Sequence, residues 1–257
     1  MNVGTDKVRV TRDGAILVVT INRPECRNAI DRETSLALAG AFDLLDRDDT
    51  LSIAILTGAG EHFCAGMDLR AFVAGERVEL PGRGLAGLTQ TPPQKPLIAA
   101  VEGYALAGGF EIALACDLIV ASETVHFGLP EAKRGLIAGS GGLVRLPERM
   151  PRQIAMECAL TGRMIPADEA ERWGLVNRLC APGAALDAAR DLAAEIAQNA
   201  PMSLIASKEI IANAGRWPEN SLWPRQNEIL ERVITSQDAR EGALAFAEKR
   251  PPVWTGR

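Results

Sequence analysis

The chain has 257 residues, 47% of them hydrophobic and 24% charged, with a formal net charge of −5 at pH 7. This is an ordinary globular composition, long enough for one large domain plus an appendage, and its acidic balance argues against a nucleic-acid partner while leaving room for a local basic patch against a phosphorylated ligand. With only His62 and His126 there is no HExxH motif, and five scattered cysteines without a CxxC pair suit reduced thiols in a cytoplasmic setting rather than a metal site or a disulfide framework.

The opening MNVGTDKVRVTRDG is polar and reads as no signal peptide, and no apolar run is long enough to span a bilayer. VRV, a turn at Arg12-Asp13-Gly14 and AILVVTI predict a β-hairpin ending at Asn22-Arg23-Pro24. Asp31 is placed to N-cap a helix through Leu45. LSIAILTG (51–58) predicts a buried strand, and HFCAGMDL a loop turning into a helix near Asp68. Residues 74–96 lack periodicity and are rich in Gly, Pro and charge, which predicts a flexible surface segment. PLIAAVEGYA then gives a strand and a Gly turn, GGFEIALACD a short buried helix, and LIVAS another strand. Strand, Gly loop and helix alternate, so the expected class is α/β. From Pro166 onward helices dominate: PADEAERWG, capped near Asp168 and ended by Gly174, then GAALDAARDLAAEIAQNAP, SLIASKEIIANAG, SLWPRQNEILERVITS and EGALAFAEKR.

Two glutamates carry the chemistry. Between Leu97 and Val120 the only charges are Glu102, Glu111 and Asp117, and a carboxylate in so apolar a run is costly to bury unless it is paired, hydrogen-bonded or protonated. Glu111 follows Gly108-Gly109, and Glu131 follows Leu129-Pro130. Two such groups facing one substrate can act as general acid and base near neutral pH. Backbone N–H groups at a helix start are free to donate, and glycine lets an oxygen approach them, so Gly108 and the Met67 N–H of CAGMD are candidate oxyanion donors. Each feature also has a plainer reading: tight turns, an exposed helix residue or a structural carboxylate, and an acid ahead of AKRG. Taken singly the plainer readings are favoured; together they point to one site. Three further motifs are read as structural. GRGLAG (82–87) follows no strand, Ser140 in AGSGG lacks the first glycine of a nucleophile elbow, and His62 near Cys64 makes no dyad by proximity alone.

Together NRPECRNAID, HFCAGMDL, GYALAGGFEIALACD, FGLPEAKRGLIAGSGG, TGRMIPADEAERWGLVNRL and AFAEKRPPVW resemble the crotonase (enoyl-CoA hydratase/isomerase) superfamily over nearly the whole chain. The presence of both glutamates fits its hydratase branch. LPEAKRGLIAGSGGLVRLP and the C-terminal tail are similar to the carnitinyl-CoA dehydratases of that branch. The resemblance implies a spiral core of ββα turns over residues 1–195 and a C-terminal helical region over 196–257 that builds homotrimers or hexamers. It implies an acyl-CoA thioester substrate and no prosthetic group. It implies Met67 and Gly108 as oxyanion donors, Glu111 and Glu131 as the acid/base pair, and a Gly139 N–H placing the catalytic water. Glu25, Cys26, Arg27, Ala65, Asp68 and Leu69 would lie along the CoA, and Phe246 and Lys249 would meet the CoA of a neighbouring subunit. The expected activity is addition of water to a 2-enoyl-CoA. Alternatives are a carnitinyl-CoA dehydratase, an isomerase of the double bond, and a non-catalytic acyl-CoA-binding protein. Glu102, where Asn is frequent, and the absence of a proline before the glycine run of IAGSGG are departures from the common hydratase pattern.

Overall fold

A computed structural model describes residues 5–257, so the first four residues of the polar N-terminal stretch lie outside it. Strands β1 (Val8–Asp13) and β2 (Ile16–Ile21) pair antiparallel from Val8↔Ile21 to Asp13↔Ile16. Arg12 and Asp13 therefore remain in the ladder, and the turn is Gly14-Ala15, with Gly14 at φ +57°, a conformation glycine adopts without steric cost. Helix α1 (Arg32–Arg47) starts as expected: Asp31 accepts the Thr34 N–H at 2.8 Å, and Leu38, Ala41, Phe42 and Leu45 face inward. Next come β3 (Ile53–Gly58), α2 (Leu69–Val73), β4 (Leu97–Val101), β5 (Tyr104–Leu106), α3 (Gly108–Ala115), β6 (Leu118–Ser122) and β7 (His126–Gly128). They are followed by α4 (Gly142–Arg149), α5 (Arg152–Thr161), β8 (Met164–Pro166), α6 (Ala167–Arg172), β9 (Arg178–Cys180) and α7 (Ala185–Ala197). Three more helices close the chain: α8 (Pro201–Asn213), α9 (Glu219–Ile234) and α10 (Gln237–Glu248).

The larger sheet has the order β1-β2-β3-β4-β6-β9 and is parallel from β2 onward. Side chains alternate across it, as the two-residue repeat of a strand requires. Leu17, Val19, Leu56, Ala99 and Ile119 share one core with α1 and α3. Ile16, Val18, Ile55, Ile98 and Val120 form a second core under α7, whose Ala185, Ala189 and Ala193 recur every four residues and let that helix lie close to the strands.

A second, smaller sheet (β5-β7-β8) explains how the chain winds. Each turn contributes one strand to the large sheet, then a short extended segment to the inner layer, then a helix. The inner segments pair in parallel register: Ile30 with Met67, Cys64 with Ala105, and Ala105 with Phe127. Counting on three residues from the Cys64–Ala105 pair brings Met67 level with Gly108. The three helical starts at 69, 108 and 131 thus lie at one end of a common layer.

Two expectations need correction. Only part of the 74–96 segment is a surface loop. Val78, Leu80, Leu85, Ala86, Leu88 and Thr89 are buried, with a 3-10 turn at Leu85–Gly87. Gly87 permits this, because a Cβ there would sit 2.5 Å from the Ala39 methyl on α1, and Arg83 pins the segment to Asp43 at 2.7 Å. GRGLAG is thus a packing device against α1. In addition, α6 starts at Ala167 after Pro166, which supplies no side-chain cap, and Asp168 is an exposed residue of its first turn.

The division at 195/196 falls in the last turn of α7. Beyond it, α9 packs against both α8 and α10. Lys208 on α8 ties this region to the core, donating to Asp117 Oδ2 at 2.6 Å and to the Lys95 carbonyl at 3.0 Å. No helix among the described residues is long and apolar enough to cross a membrane.

Candidate active site

Glu111 lies on α3, whose eight residues are all buried. The helix can start here because Ala107 takes an unusual φ of +52° and Gly108 and Gly109 carry no Cβ. A Cβ on Gly109 would stand 2.1 Å from the Cys64 carbonyl oxygen, a backbone atom that cannot swing away. Gly109→Ala is therefore expected to destabilise the fold by about 3 kcal/mol, measurable by urea unfolding; an unchanged midpoint would show that the two segments separate without cost.

The same close approach brings two backbone donors together. A Cβ on Gly66 would sit 2.9 Å from the Gly108 nitrogen, and one on Gly108 would sit 3.4 Å from the Met67 nitrogen. Neither the Met67 N–H nor the Gly108 N–H donates to any backbone acceptor among the described residues. Two neighbouring, unspent donors at helix starts suit an oxygen that gains negative charge.

Glu111 Oε1 accepts two N–H bonds, from Ser140 and from Gly142, each at 2.8 Å. Gly142 is close enough that a Cβ there would lie 2.9 Å from Glu111 Cγ. Burial pushes the Glu111 carboxyl up to about 7; the neighbouring Glu131 and Glu79 carboxylates add to this, and the two N–H donors oppose it. Glu131 opens a 3-10 turn after β7. Burial raises its proton affinity too, against its own backbone N–H and the Arg134 charge. Its Oε2 is buried without a hydrogen-bond partner among the described residues. Such an atom is costly unless something outside the chain supplies the partner. Both carboxyls thus hold a proton more tightly than a free carboxyl, one bound by N–H groups and one with a free lone pair.

Gly139 is exposed, and a Cβ there would meet only the Ile137 carbonyl, at 3.9 Å. The segments expected along the CoA do lie side by side: Ala65 N–H donates to the Arg27 carbonyl, and Asp68 N–H to that of Ile30. Glu25 and Cys26 belong to a 3-10 turn at Pro24–Cys26, and Arg27 closes it at φ +53°. Asp68 caps α2 and pairs with Arg23 at 3.0 Å, and Leu69 is exposed. Phe246 and Lys249 lie on and just after α10, which packs on α9; within one chain the fold does not bring them to the carboxylates.

The His62 ring packs against Tyr104 at a tilt of 35°, with centroids 4.7 Å apart, while burial pushes the Cys64 thiol up to about 12, so the two form no catalytic dyad. No group of three or more His, Cys, Asp or Glu side chains among the described residues is placed to hold a metal ion. Sequence reasoning missed the Ser140 and Gly142 N–H groups as the clamp on Glu111. It also missed Glu79, which accepts the Ser140 hydroxyl at 2.6 Å. The only available signal for the first was the glycine run itself.

The profile of the family described as Enoyl-CoA hydratase/isomerase matches residues 11–257, so the chain belongs to that family, and its fold is the crotonase fold. An enoyl-CoA hydratase of Mycobacterium tuberculosis H37Rv superposes with a TM-score of 0.96 at 56% identity, covering 98% of this chain and 100% of that one. One from Mycobacterium marinum gives 0.97 at the same identity and coverage. A carnitinyl-CoA dehydratase of Salmonella paratyphi A is 45% identical over 98% of this chain and its own full length.

Proposed function

We propose that the chain is a hydro-lyase acting on 2-enoyl-CoA thioesters. The thioester oxygen is held by the Met67 and Gly108 N–H groups, which stabilise the enolate as its charge develops. Glu111 and Glu131 hold one water, with the Gly139 N–H assisting. The water oxygen bonds to the β-carbon, and its proton passes to one carboxylate. The other group, in its protonated carboxyl form, delivers a proton to the α-carbon, leaving a 3-hydroxyacyl-CoA. No prosthetic group takes part, and the CoA enters with the substrate along Glu25, Cys26, Arg27, Ala65, Asp68 and Leu69. The observation that carries this reading is the meeting of two unspent N–H groups with two buried carboxyls of raised proton affinity.

Mixing the protein with crotonyl-CoA is expected to abolish the absorbance of the conjugated thioester and to yield 3-hydroxybutyryl-CoA on chromatography. No loss of absorbance would overturn the reading for simple enoyl groups. Crotonobetainyl-CoA is the next substrate to test, since relatives named carnitinyl-CoA dehydratase match 98% of the chain at 45% identity.

The active assembly is proposed to be a homotrimer, or a hexamer of two trimers, in which Phe246 and Lys249 approach a neighbour's CoA. Exposed apolar side chains on the last three helices support this: Ile211 is 81% exposed, Trp223 64% and Phe246 88%. The five free cysteines fit a cytoplasmic location.

A further inference from the structure

The 74–96 segment delivers a third carboxylate to the site. Glu79 reaches Ser140 from a stretch whose neighbours Val78 and Leu80 are buried, so its backbone is anchored on both sides. The chain of contacts is continuous. Glu79 Oε1 accepts the Ser140 hydroxyl at 2.6 Å, and the backbone N–H of that same Ser140 donates to Glu111 Oε1 at 2.8 Å. Ser140 is itself buried, and the bond to Glu79 uses its only side-chain proton. Gly141 and Gly142 follow with little intrinsic preference, Gly141 at φ +101°. Gly142 opens α4, so the bond from Ser140 to Glu79 ties down the residues just ahead of that helix.

We propose that Glu79 is a positioning residue for Glu111, latching the 139–142 loop through the Ser140 hydroxyl so that the Ser140 and Gly142 N–H groups orient that carboxylate. Glu79 also acts through space. Its negative charge favours the protonated form of Glu111, as does that of Glu131 from the turn after β7. On α4 the nearby cation, Arg145, lies against Gly141 and donates to the Thr89 carbonyl at 2.7 Å. Charge and latch are separable, because an amide oxygen can accept the Ser140 hydroxyl without carrying charge. The effect on turnover rests on the hydratase reading, whereas the effect on Glu111 ionisation does not.

The test uses Glu79→Gln, Glu79→Ala and Ser140→Ala in the full chain. Carboxyl ¹³C NMR, with the resonance assigned by its loss in Glu111→Gln, reads the Glu111 midpoint directly. In Glu79→Gln that midpoint is expected to fall by about half a unit, with the Glu111 limb of the kcat–pH profile moving alongside it and kcat at neutral pH kept within about threefold. Glu79→Ala and Ser140→Ala, which lose the latch, are expected to drop kcat by about tenfold or more with KM little changed, and the glutamine variant to restore most of it. An unmoved Glu111 midpoint in Glu79→Gln, or wild-type kcat in Glu79→Ala, would overturn the proposal. If wild-type protein turned over no enoyl-CoA, the hydratase reading would fail, and the NMR titration would still decide the role of Glu79.

Discussion

Glu131→Gln is expected to lower kcat for enoyl-CoA hydration by about 10³-fold while the protein folds as before. The size follows from what a positioned proton carrier contributes, roughly 10²–10⁴ in rate. The amide has almost the shape of the carboxyl but cannot exchange a proton at neutral pH. Folding is spared because Glu131 Oε2 has no hydrogen-bond partner among the described residues, so the substitution breaks no internal bond at that atom and removes a buried charge. CoA binding, read by displacement of an acyl-CoA, should change little, since the segments proposed to lie along the CoA belong to earlier turns of the spiral. A variant within tenfold of wild-type turnover would refute the two-carboxylate mechanism.

Glu111→Gln should produce an equally severe loss of turnover and a marked change in how stability depends on pH. The Glu111 carboxyl is raised from 4.5 to about 7 in the folded protein. Between those values the unfolded chain has released this proton and the folded protein still holds it. Stability from this group is therefore full below pH 4.5, falls as pH rises to 7 and is constant above. The loss amounts to about 3 kcal/mol at 1.36 kcal/mol per unit. A glutamine keeps an oxygen for the Ser140 and Gly142 N–H groups but has nothing to ionise. The variant should therefore gain on wild type across that interval, so that urea unfolding at pH 5 and pH 8 gives a stability difference between the two proteins that widens in its favour at pH 8. A difference that stayed constant would show that Glu111 carries no raised proton affinity.

The parts of the site that could be read from the sequence are those governed by local chemistry. Asp31 announces α1 because a short acid ahead of a periodic stretch satisfies the first free N–H groups. Gly108-Gly109 announces a helix start that something must approach closely. Glu111 is conspicuous because its surroundings are apolar. What could not be read depends on distant partners. Residues 84–89 look like loop because their burial comes from Gly87 fitting over Ala39, 48 residues away, and no local pattern records that. Glu79 lies in the same stretch and looks like one more surface acid. Ser140 invites comparison with a nucleophile, yet its hydroxyl is committed to Glu79 and its useful group is the backbone N–H. The parallel register of Cys64 with Ala105, which levels Met67 with Gly108, is likewise a property of the folded layer.

That register has a consequence for how such a protein can change over time. The Met67 and Gly108 donors are peptide groups, present whatever side chain the codon specifies, provided the backbone can still make its turn. Point mutation can therefore reach the thioester activation proposed for these groups only by distorting the scaffold, and most such distortions are lost along with the fold. Glu111, Glu131 and Glu79 arrive on separate windings and are ordinary, replaceable side chains. The machinery divides into a hereditary part, written in the geometry of the coil, and a negotiable part that single substitutions can rewrite. A lineage built this way can exchange one reaction of an acyl thioester for another without first losing the ability to make the thioester react.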